Sequence, residues 1–136
     1  MCHKYQTIVN YMIITIVNIQ HEQQRYETVG DWQWDDGGNL TITVSDMGDW
    51  KYNFLVAFHE LVEVMLCRAR GIPQKEVDEF DIVYEAMRKD GDTSEPGDSP
   101  LAPYCKEHRT ATNMERVMAE ELEVVWEEYD EAVGNL

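Results

Sequence analysis

The stretch Phe54 to Cys67, FLVAFHELVEVMLC, contains only three polar residues: His59, Glu60 and Glu63. A helix that is apolar on every side is buried on every side, so these three side chains are expected inside the protein. A buried charge persists only when it is paired, hydrogen-bonded or bound to a metal. The rest of the chain must close around this helix and supply those partners.

The helix is expected over Trp50 to Arg70, after a turn at Ser45 to Asp49. Gly71-Ile-Pro73 ends it, and Arg68 and Arg70 in its last turn suit the helix dipole. Upstream, Trp32-Gln-Trp34 and Leu40-Thr-Ile-Thr-Val44 flank the turn-prone Asp35-Asp-Gly-Gly-Asn39, which reads as a hairpin. The β-branched run in MIITIVNI, from Met12, reads as a first strand, with residues 1–11 an N-terminal extension. A small, mostly antiparallel sheet of about three strands follows.

Downstream, Gln74 to Lys89 places Val77, Phe80, Tyr84 and Met87 on one helical stripe, and Asp81 falls on it too. Asp90 to Pro103, with three prolines, reads as an irregular loop. A third helix is expected from Tyr104 to Ala132, with Ala111, Met118, Leu122, Val125, Trp126 and Tyr129 facing inward; the same stripe reaches Glu115 and His108. The expected class is α+β in one domain, residues 1–136: a β-rich part over 12–45 and three helices over 50–133 around the central one.

The formal charge of −16 and the pI near 4.4 argue against phosphate backbones and anionic lipid as partners, so no direct nucleic-acid or membrane binding is expected. A substrate or a protein remains as partner. Three cysteines without CxxC spacing signal neither a disulfide framework nor a zinc knuckle and fit a reducing cytoplasm. The run Ile8 to Ile19, interrupted by Asn10 and Asn18, is too short for a membrane span.

Each helix thus brings a metal-capable side chain to its buried face: His59 and Glu63, then Asp81, then His108 and Glu115. Residues i and i+4 project side by side, so His59 and Glu63 can grip one divalent ion with His108 as third ligand. Glu60 lies about 100° round the helix, displaced from that position but near enough to act as general base on a bound water. Asp81 and Glu115 are expected as further ligands or as partners orienting the histidines. The ordinary alternatives are a core histidine at 59, Glu63 paired with Arg68 or Arg70, and an exposed His108.

His59-Glu-Leu-Val-Glu63, following the strand Leu40 to Val44, resembles the HExxH helix of the zincin metallopeptidases. The resemblance covers about a quarter of the chain and implies a metal-dependent hydrolase with His59 as ligand and Glu60 as base. The family's second histidine is Glu63 here, a change that favours harder ions, so manganese, iron or magnesium join zinc as expected metals. The stretch also looks like small phage and prophage proteins of unassigned function that carry HELVE followed by an EH pair, here Glu107-His108.

Two alternatives stand beside this reading. Glu60-x-x-Glu63 and Asp78-x-x-Asp81 resemble the paired acidic motifs of all-α nucleoside triphosphate pyrophosphatases, which implies magnesium held by four carboxylates. The acidic balance also suits a non-catalytic interaction protein, of phage type, that blocks a host factor.

Overall fold

The computed structural model describes residues 11–136; the extension expected over residues 1–11 lies, apart from Tyr11, outside them. The elements run β1 (Ile14–Ile19), β2 (Gly30–Trp34), β3 (Leu40–Ser45), α1 (Trp50–Ala69), α2 (Gln74–Ala86), α3 (Cys105–Glu121) and α4 (Trp126–Gly134). The class is α+β, with a three-stranded sheet and four helices. No described helix is long and apolar enough to cross a membrane.

β2 and β3 form the expected antiparallel hairpin, Trp32 opposite Ile42. Leu40, Ile42 and Val44 point into the core while Thr41 is exposed, as alternation requires. The sheet departs from expectation at β1, which pairs parallel to β3, Ile14 opposite Leu40 and Ile19 opposite Ser45. The hairpin gives one edge of β3 to β2, and β1 takes the other, in the order β1-β3-β2. The sheet is therefore mixed.

α1 is capped by Asp49, whose carboxylate accepts from the backbone N–H groups of Lys51 and Tyr52. Past its end the chain turns through Gly71 at φ 71°, which glycine adopts without steric cost. One flank of α1 packs on the sheet, where Leu55 and Val64 join Ile42 and Val44 in full burial, and another packs on α3. A helix covered from both directions explains the almost unbroken apolar text.

α2 ends at Ala86, three residues before the expected stop, and Met87 is exposed rather than on a buried stripe. The loop after it contains a short 3-10 turn, Pro96–Asp98. The single third helix expected from Tyr104 to Ala132 is two helices: α3 stops at Glu121, and Glu123 adopts a left-handed φ of 58° before α4 starts at Trp126. Val125, expected inside, is exposed at this break.

Candidate metal centre

α1 supplies two neighbouring buried side chains, His59 and Glu63, and α3 supplies His108 across the interface between the helices. His59 Nε2, Glu63 Oε2 and His108 Nδ1 form a triangle: 3.1 Å from His59 to Glu63, 3.0 Å from Glu63 to His108 and 3.2 Å between the two nitrogens. An ion with bonds of about 2.0 to 2.1 Å in tetrahedral geometry holds its donors about 3.3 Å apart. These three atoms are close to that spacing without further movement, and they form one of the groups able to hold a metal ion.

The partners around the triangle decide which atoms face inward as lone pairs. Glu115 Oε1 lies 2.7 Å from His59 Nδ1, so the neutral ring keeps its proton on that nitrogen and can present the Nε2 lone pair to a metal. Glu115 is itself fixed by the Tyr129 hydroxyl, which donates to its other oxygen. Trp32 Nε1 donates to Glu63 Oε1 at 3.1 Å, leaving Oε2 for the centre. His108 Nε2 faces Glu95 Oε2 at 2.9 Å and Asp98 Oδ1 at 3.2 Å, which turns Nδ1 inward. Three acceptors that meet at about 3 Å repel one another unless a cation lies among them.

Without a metal, protons serve as that cation. Burial alone would lower the pKa of His59, but Glu115 and Glu63 outweigh it and hold the ring well above its usual range. His108 is raised likewise: burial opposes charge, and Asp98, Glu63 and Glu95 overcome that opposition. Burial pushes Glu63 up, yet the hydrogen bonds from His108 and His59 win and bring it to about 2. A metal ion must displace these protons.

Glu60, half-buried, runs past the backbone of Gly30 in β2, where a Cβ would meet Glu60 Oε1 at 2.7 Å. Burial, then the charge of Glu63, raises its pKa well above the usual carboxylate range. It lines a cavity of about 770 Å³ that also reaches His59, Glu63 and His108. The lining is mixed: acids such as Asp31, Asp78, Asp81, Glu85 and Asp92 outnumber the basic Arg88 and Arg116, and Arg25 pairs with Asp31 and Asp78 while Arg88 pairs with Glu85 and Asp92.

Of the expected site residues, the structure brings His59, Glu63 and His108 together and sets Glu115 behind His59. Asp81 is not among them: its oxygens accept from the hydroxyls of Tyr104 and Tyr26, the latter at 3.2 Å, so it neither joins the triangle nor touches a histidine. Burial raises its pKa to about 7 despite those hydrogen bonds. Glu63 does not pair with arginine, since Arg70 binds the buried Glu107 at 2.6 Å and Arg68 lies over the ring of Trp34. Nor is His108 exposed.

The sequence gives no sign of the parts played by Trp32, Tyr129, Glu95, Asp98, Gly30 and Gly97. Gly97 lies flat against the imidazole of His108, where a Cβ would be 2.3 Å from Cγ. Pro96-Gly-Asp98 signals a turn and nothing about a histidine. Helical spacing puts Tyr129 on an inner face, but no pattern in the sequence ties it to Glu115.

Fold and site together define an α+β protein whose two packed helices enclose a His/Glu cluster that could hold a metal ion. No family model, curated protein or solved structure matches the chain. Function is therefore argued from the geometry of the site.

Proposed function

We propose that the protein is a metal-dependent hydrolase, with His59, Glu63 and His108 as ligands and zinc as the metal. The observation that carries the proposal is the triangle of inward-facing acceptors, 3.0 to 3.2 Å on a side and buried between α1 and α3. Two imidazoles and one carboxylate are a donor set suited to catalytic zinc. A divalent ion held there would supply Lewis acidity and lower the pKa of bound water to about 7.

The remaining work falls to the chain's own groups. Glu60, on the same cavity and with its proton affinity raised, takes the proton of the attacking water. Glu115 and Tyr129 hold the His59 ring in one orientation, and Trp32 does the same for Glu63. Acids outnumber Arg88 and Arg116 in the lining, and this excess weighs toward an uncharged acyl substrate, amide or ester, over a phosphate ester.

The pyrophosphatase reading receives less support. Asp78 is paired with Arg25 at 3.1 Å, and Asp81 is occupied by the tyrosines, so these two acids do not join Glu60 and Glu63 in an open carboxylate cluster.

Metal content of protein purified without added metal, with melting before and after chelation, tests the proposal in wild type, His59→Ala and Glu60→Gln. Bound metal that is lost in His59→Ala and kept in Glu60→Gln, together with turnover of unspecific amide or ester substrates abolished in both, is the expected pattern. No transition metal and a melting temperature indifferent to chelator refute it and leave the interaction protein or the magnesium enzyme.

A further inference from the structure

Glu95 caps the 3-10 turn Pro96–Asp98, and Asp98 is its last residue. Side chains three apart on a 3-10 turn lie over one another, so both carboxylates emerge on one side. That side faces His108. With no Cβ on Gly97, the turn lies flat on the imidazole and sets one carboxylate oxygen at 2.9 Å and another at 3.2 Å from Nε2. Among the described residues, no other cationic side chain lies within ion-pair distance of either acid.

Proximity has not made an aligned hydrogen bond. His108 is only 4% exposed, and its Nε2 is a buried polar atom with no hydrogen-bond partner of acceptable geometry. A hydrogen bond needs the oxygen on the axis of the ring N–H. Chelation needs the ion on that axis and the oxygens beside it, about 3.3 Å from the nitrogen. With no aligned hydrogen bond at Nε2, the oxygens at 2.9 and 3.2 Å lie nearer the second arrangement, which a shift of a few tenths of an ångström by Glu95 completes.

We propose that Glu95, Asp98 and His108 Nε2 form a second divalent-cation site, which shares the His108 ring with the inner triangle. Sharing rests on the inner site proposed above; the outer donor set stands by itself. Two oxygens and one nitrogen, with side chains 45% and 57% exposed at the acids, suit a transition ion that keeps bound water, zinc or manganese. With both sites filled, His108 releases its remaining ring proton to solvent and each nitrogen donates one lone pair. The two ions then lie roughly 6 Å apart across the ring.

Zinc titration of the metal-free protein against a competing chromophoric chelator tests this, with copper(II) and electron paramagnetic resonance as the second readout. Wild type should take two zinc ions, and a Glu95→Gln/Asp98→Asn double variant, folded by circular dichroism, only one. Two copper ions bridged by one ring should couple magnetically, and the double variant should show an uncoupled signal. One zinc in both proteins, lost in Glu63→Gln, overturns the second site and leaves the inner one standing. One zinc that survives Glu63→Gln and is lost in the double variant supports the outer site and refutes the inner reading. Two zinc ions in the double variant, or none in wild type, overturn the proposal.

Discussion

Replacing Gly97 with alanine tests whether the backbone at this turn holds His108 in place. The new Cβ would sit 2.3 Å from His108 Cγ and 2.5 Å from Nδ1, whereas ordinary contact begins near 3.4 Å. Either the ring or the turn must retreat by about 1 Å, while metal–ligand distances tolerate about 0.2 Å. Overpacking of a filled site costs about 1 to 3 kcal/mol. At about 4 °C per kcal/mol, that is a fall of about 4 to 12 °C in melting temperature. Zinc affinity should drop at least about 10-fold, because the inward nitrogen is displaced from its partners. Gly134→Ala is the control, since a Cβ there meets nothing nearer than 3.5 Å. Competition with a chromophoric chelator and differential scanning calorimetry read the two effects. Wild-type zinc affinity and melting in Gly97→Ala would refute the claim that the turn fixes the ring.

Other residues allow equally direct tests. Tyr129→Phe removes the hydroxyl that holds Glu115, so zinc affinity should fall about 10-fold or more at a stability cost near 1 kcal/mol; unchanged affinity would mean that Glu115 orients His59 unaided. Asp81, with a folded pKa of about 7 against about 3.9 unfolded, keeps its proton in the folded state across that window. Its contribution to stability is therefore present at low pH and lost as pH rises from 4 to 7, up to about 4 kcal/mol. Urea unfolding of the metal-free protein should show this slope in wild type and a flatter one in Asp81→Asn; coincident slopes would contradict the raised pKa.

How much could be read in advance depended on the range of the signal. The central helix was legible because burial from two directions leaves a long apolar text broken only at His59, Glu60 and Glu63. The hairpin was legible from Asp35 to Asn39, where turn residues separate alternating strands. His108 and Glu115 could be placed on a common face by helical spacing, though not within reach of α1. The parallel direction of β1 left no local mark, because it is set by the path of the chain between β1 and β2, which lie on opposite edges of β3, and not by the residues of the strand. The break after Glu121 was hidden too, since Leu122-Glu-Val-Val125 contains neither glycine nor proline. Asp81 misled for a physical reason: a buried acid on a helical stripe looks the same in sequence whether tyrosines or a metal satisfy it.

The left-handed residue between α3 and α4 sets a length scale. Glu115 and Tyr129 are 14 positions apart. An unbroken helix, rising about 1.5 Å per residue, would carry their backbones roughly 21 Å apart, far beyond the reach of a tyrosine. The reversal through Glu123 brings the chain back so that the hydroxyl meets the carboxylate. One backbone dihedral on the surface thereby governs a contact in the interior, and lengthening or straightening this joint would detach Tyr129 from the centre without altering a residue near it.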